Sequence, residues 1–101
     1  MLSPDPDNPQ VPSVLAQRAL AQQQNKNYAA ALADLNTILA KYPKAHEREA
    51  ALQAKALIQG QQDDAKGMAE TFRQLLNEFP NSSAAAQANY YIGKAAFEAG
   101  A

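Results

Sequence analysis

The stretch Tyr28-Ala29-Ala30-Ala31-Leu32-Ala33-Asp34-Leu35-Asn36-Thr37-Ile38-Leu39-Ala40-Lys41-Tyr42-Pro43 decides the fold. Its residues Tyr28, Ala31, Leu32, Leu35, Ile38, Leu39 and Tyr42 recur at spacings of three and four. An α-helix turns once every 3.6 residues, so this period draws one apolar stripe down a helix of about four turns. Pro43 ends it, because a proline ring disfavours helical backbone in the residue before it. The pattern recurs as Ala65, Met68, Ala69, Phe72, Leu75, Leu76, Phe79 and Pro80. Subtracting 37 from each number lands every position on the first set, with Tyr42-Pro43-Lys44 matching Phe79-Pro80-Asn81.

The segments before these stripes repeat too. Leu15, Ala19 and Leu20 map by the same shift onto Leu52, Ala56 and Leu57. A third copy opens after Pro80: with a shift of 40, Ala45, Leu52, Ala56, Leu57 and Gly60 fall on Ala85, Ile92, Ala96, Phe97 and Gly100. The spacing predicts helices over about 13–24, 27–42, 45–59, 63–79 and 83–99. Turns are expected at Asn25-Lys26, Pro43-Lys44, Gly60-Gln61-Gln62 and Pro80-Asn81-Ser82. Asn27, Asp63 and Ser82 or Ser83 are the expected N-caps, since a side-chain oxygen can accept from the free N–H groups of a first turn. Residues 1–12 hold four of the six prolines and read as a linker with nothing to bury. Helical-repeat residues 13–101 then divide into 13–44, 45–81 and 82–101, the last being the first helix of a truncated third repeat.

Composition agrees. Apolar residues are 47% of the chain, but 23 are alanine and only seven residues are β-branched, which disfavours sheet and favours closely packed helices. Net charge is −1, so there is no strong field to recruit nucleic acid or anionic lipid. No apolar run approaches the roughly 20 residues of a membrane span. There is no cysteine, hence no disulfide, thiolate ligand or thiol nucleophile.

A helical hairpin that repeats at this length and ends in aromatic-proline resembles the tetratricopeptide repeat. Asn27-Tyr28-Ala29-Ala30-Ala31 is similar to the turn, aromatic and small residue that open that family's second helix, and Tyr91-Ile92-Gly93-Lys94-Ala95-Ala96-Phe97-Glu98-Ala99-Gly100 resembles its first helix. Residues 79–93 are similar to a bacterial subtype found in outer-membrane assembly lipoproteins and Tol-Pal-associated envelope proteins. Arg18-Ala19 departs from the usual apolar-glycine pair. The resemblance implies an all-α superhelix of antiparallel hairpins, about five helices in two and a half repeats, acting as a non-catalytic protein-interaction module. It points to the bacterial cell envelope, with the cytoplasm as the alternative. Two and a half repeats lie near the lower limit for independent folding, so a piece of a longer protein is expected. In such a stack alanines let helices approach while Leu35, Phe72, Leu76 and Phe97 fill the gaps.

No catalytic, cofactor or metal constellation is legible. His46 is the only histidine, in His46-Glu47-Arg48-Glu49, and one imidazole builds no metal site. It is expected in the first turn of a helix. Asp63-Asp64 reads as helix capping rather than acid–base chemistry. Ser82-Ser83 has no base beside it, and Gln22-Gln23-Gln24 reads as an exposed helix end. The nine Lys and Arg residues are dispersed among ten acids, which argues against RNA reading.

A contact surface remains. By resemblance the groove positions are Gln17, Ala54 and Lys94 in one row, with Glu47, Tyr90 and Glu98 nearby. The family's carboxylate clamp is missing, because Ala50, Ala51, Ala54, Tyr90, Tyr91 and Lys94 stand in those places. The candidate peptide groove is therefore Gln17, Glu47, Tyr90, Lys94 and Glu98. An alternative is self-association of copies through a terminal-helix face carrying Tyr91, Ile92 and Phe97. A third is an accessory domain of a larger enzyme.

Overall fold

The computed structural model describes residues 10–100, with side chains to Glu98. It has five helices: α1 (Gln10–Gln24), α2 (Tyr28–Lys41), α3 (Arg48–Gln61), α4 (Ala65–Glu78) and α5 (Ala85–Gly100). Among the described residues there is no strand. The chain forms two compact units, one up to Ala51 and one from Leu52, so the boundary falls inside α3.

Several ends differ from the sequence expectation. Residues 1–9 of the proline-rich lead-in lie outside the described residues, while Gln10, Val11 and Pro12 form the first turn of α1. Proline fits there because first-turn N–H groups have no intrahelical acceptor. Gly60 continues α3 rather than ending it, and His46-Glu47 forms a turn before that helix. The N-cap of α4 is Asp64, not Asp63: its carboxylate accepts from Gly67 N–H at 3.0 Å. Asn27 is the N-cap of α2 but makes no side-chain capping bond.

The loops carry the repeat more clearly than the helices do. Asn27 N–H donates to Gln22 O at 2.8 Å and Lys26 N–H to Gln23 O at 3.0 Å. Asp64 N–H donates to Gln59 O at 2.8 Å and Asp63 N–H to Gly60 O at 3.2 Å, the same two bonds moved by 37 residues. This nested pair closes a helix through one left-handed residue, usually glycine. Here the residues are Lys26 (φ 62°) and Asp63 (φ 63°), again 37 apart. After the second helix of each hairpin, Tyr42 and Phe79 N–H return to Ile38 O and Leu75 O, and Ala51 and Ala88 N–H donate to Glu47 O and Ala84 O. The register from α3 to α5 is therefore 37, not the 40 read from sequence. Alanine-rich helices match one another at several offsets, and turn hydrogen bonds do not.

In the first unit α1 packs on α2, and Ala19, Ala31, Leu35, Ile38 and Tyr42 are buried. Asp34, on α2, is only 6% exposed and accepts two bonds from the Arg18 guanidinium, at 2.7 and 2.6 Å. Arg48 Nη1 donates to Leu39 O at 2.8 Å, serving a carbonyl in the last turn of α2. Gln22 is half-buried rather than exposed, and its Oε1 has no hydrogen-bond partner.

In the second unit Ala56, Met68, Phe72 and Ala88 form the core, with Leu57, Leu76, Tyr91 and Ile92 packed against it. The rings of Phe72 and Tyr91 stack with centroids 5.8 Å apart and planes 3° apart. Thr71 Oγ1 donates to Gln59 Oε1 at 2.6 Å, and Gln53 Nε2 to Gln87 Oε1 at 2.9 Å. A Cβ on Gly60 would stand 2.8 Å from Met68 Sδ, so this glycine admits the methionine. Phe97, expected to fill a gap, is instead 76% exposed.

Phe72→Ala should cost about 3–5 kcal/mol in urea unfolding, because the site is fully enclosed and leaves a cavity. Lys26→Gly and Asp63→Gly should each raise stability by up to about 1 kcal/mol, since a side chain is disfavoured at positive φ. The same measurement on Ala33→Gly, exposed in the middle of α2, should show a loss of similar size.

Candidate functional site

The second unit holds a cleft of about 460 Å³. Leu57 and Gly60 near the end of α3, Asp63 in the turn, Met68 on α4, and Tyr91, Lys94 and Glu98 on α5 line it. The helical period explains the α5 set: positions 91, 94 and 98 are three and four apart, on one side of the helix. Left-handed Asp63 turns the chain from α3 into α4, and Gly60 lets Met68 approach. Leu57 and Met68 supply apolar surface, while Asp63, Lys94 and Glu98 supply charges of both signs. Such a lining offers apolar surface to bury and polar groups to hydrogen-bond. A second depression of about 580 Å³, lined by Lys66, Glu70, Arg73 and Ala96 among others, shares Glu98 with the cleft.

The structure divides the residues singled out from sequence. Lys94 and Glu98 line the cleft together. Tyr90 is exposed on α5 and meets Tyr91 edge-on, with centroids 5.1 Å apart. Gln17 is exposed on α1, and Glu47 sits in the turn before α3, 3.1 Å from His46 Nε2. These last two belong to the first unit. Of the face Tyr91, Ile92 and Phe97, the first two pack on the core of their own unit, and Phe97 stands out from it. Leu57, Gly60, Asp63 and Met68 were not recognised as lining residues. Their apolar or capping character reads as core or turn, and only the packing of α3, α4 and α5 brings them beside Lys94.

One carboxyl is clearly displaced. Asp34 is held below its ordinary value chiefly by the Arg18 hydrogen bonds, with the guanidinium charge helping and burial opposing. Arg18 is correspondingly raised. A lowered carboxyl keeps its charge, the behaviour of a structural ion pair rather than of a general acid poised near neutrality. Among the described residues no three His, Asp or Glu side chains gather as a metal site. No described helix is long and apolar enough to cross a membrane.

Antiparallel helix pairs with turns repeating every 37 residues define a helical-hairpin repeat protein. The tetratricopeptide repeat profile matches residues 14–45 and 50–82, and the chain belongs to that family. No curated protein and no solved structure matches the chain significantly. Members of the family are typically non-catalytic scaffolds that mediate protein contacts.

Because Asp34 is lowered on folding, its contribution is complete above the ordinary carboxyl value of 3.8 and fades as pH falls below it. The gap in melting temperature between the protein and Asp34→Asn should hold steady from pH 7 to pH 5 and shrink below about pH 4. A gap that widens on acidification would contradict this assignment.

Proposed function

We propose that the chain is a non-catalytic adaptor that binds an extended peptide segment of a partner protein, with the cleft of the second unit as its principal contact. One observation carries the reading: Lys94 and Glu98, groove positions by resemblance to the family, lie with Tyr91 around an opening that Leu57 and Met68 also line. The peptide places an apolar side chain against Leu57 and Met68. Its backbone and polar groups meet Lys94, Asp63 and Glu98, and Tyr90 adds an exposed ring at the side. Rigid helices limit the ordering cost of binding, so a short contact can suffice. Gln17 and Glu47 are proposed as a second contact region on the first unit. A bacterial-envelope setting, of the assembly-lipoprotein or Tol-Pal-associated kind, rests on the resemblance of residues 79–93 alone.

A phage-displayed library of random peptides tests this. Selected peptides should share an apolar residue and perturb the amide resonances of Leu57, Met68, Tyr91 and Lys94. Lys94→Glu should weaken them about tenfold or more, as expected for a contact worth about 1.4 kcal/mol, while leaving the circular dichroism unchanged. Peptides that perturb none of these residues, or that ignore Lys94→Glu, would remove the cleft from the reading.

A further inference from the structure

The cleft opens at a place where α5 is short of side-chain volume. In the 37-residue register, Ala95 and Lys94 of α5 stand where α3 has Ile58 and Leu57. The backbones correspond: Ala51 and Ala88, one register apart, are both buried, and their N–H groups donate to Glu47 O and Ala84 O. The side chains do not. Ile58 is fully enclosed, whereas Ala95 is half-buried and lines the cleft beside Lys94. A methyl group therefore stands where the equivalent helix encloses a branched aliphatic chain, and unfilled space between packed helices forfeits contacts. The cleft's charges are unspent as well. Asp63, Lys94 and Glu98 line it, and none of them forms an ion pair among the described residues. Two carboxylates against one ammonium give the lining an excess of negative charge.

We propose, resting on the reading of this cleft as a peptide site, that it selects a leucine or isoleucine with a lysine or arginine on the next residue or the one after. The aliphatic side chain supplies beside Ala95 the volume that Ile58 carries on α3, and Leu57 and Met68 give it apolar walls. Its transfer out of water favours binding in proportion to the apolar area covered. The basic side chain, on a long stem, reaches Asp63 or Glu98 at the rim. An acidic side chain there would find Lys94 but face both carboxylates, which opposes it.

The probes are acetylated and amidated synthetic peptides copied from the library selection, titrated calorimetrically into the full chain. An aliphatic residue followed closely by a basic one should recur among them. Replacing the aliphatic residue by alanine, or the basic one by glutamate, should weaken binding about tenfold or more. Ala95→Ile fills the space from within: the melting temperature should hold or rise, and the aliphatic peptide should bind about tenfold or more weakly. The alanine-bearing peptide, with nothing to insert, should lose little to that variant. Ala96→Ile, one position round the helix and outside the cleft lining, should leave both affinities as they are. Asp63→Asn combined with Glu98→Gln should erase the preference for a basic residue over glutamate. Peptides that bind the cleft without the aliphatic–basic pair, or that ignore Ala95→Ile, overturn this inference and leave the adaptor reading standing. Peptides that leave the resonances of Leu57 and Met68 unmoved overturn that reading and this inference with it, as does a selection that yields none. If Ala95→Ile unfolds, the peptide substitutions on the unaltered protein decide.

Discussion

Close approach of one helix to another at a small residue is the constraint on which each hairpin depends. In the second unit Ala56 gives Met68 and Phe72 the room to lie against α3, and Gly60 gives Met68 more of it. In the first unit Ala19 is buried beneath the α1–α2 pair, whose inward side carries Ala31, Leu35 and Ile38. Enclosure follows from that approach, because large side chains bury their surface only where the opposing backbone is near. The aromatic stack of Phe72 on Tyr91 extends the same core to α5. The cleft exists because α5 is held there, with Lys94 and Glu98 turned to its rim.

The two hairpins solve one polar position differently. Asp34 and Thr71 occupy equivalent places, both buried. Thr71 has a hydroxyl proton and gives it to Gln59. Asp34, kept ionised, has no proton to give and takes two from Arg18. Gln22, the counterpart of Gln59, is left with an unpartnered oxygen. A charge-assisted pair thus replaces a neutral one, and the neighbouring amide loses its donor.

Much of the fold was legible, for physical reasons. Stripes at three and four residues marked α2 and α4, because that period buries one face of a helix and no other regular structure, and recurrence of the flanking residues placed the other three. Aromatic-proline pairs fixed where two of them stop. Less legible were the turns at Lys26 and Asp63. Their left-handed backbone is normally signalled by glycine, and the glycine present, Gly60, lies three residues earlier inside a helix. The offset into α5 was misread because alanine matches alanine at too many registers. Within the site, Lys94 and Glu98 followed from resemblance to the family's groove positions, whereas Leu57, Asp63 and Met68 carried no such signal.

The sequence by itself determined the helices, their pairing into hairpins and the poverty of catalytic groups, since periodicity, proline placement and composition are local properties. Only the tertiary structure decided which aromatic of α5 faces inward. Tyr90 and Tyr91 are adjacent and chemically identical, and Phe97 looks as fit for a core as Phe72. Burial depends on which side of α5 meets α4, and neighbouring residues of a helix point to different sides, so Tyr91 stacks on Phe72 while Tyr90 stays exposed.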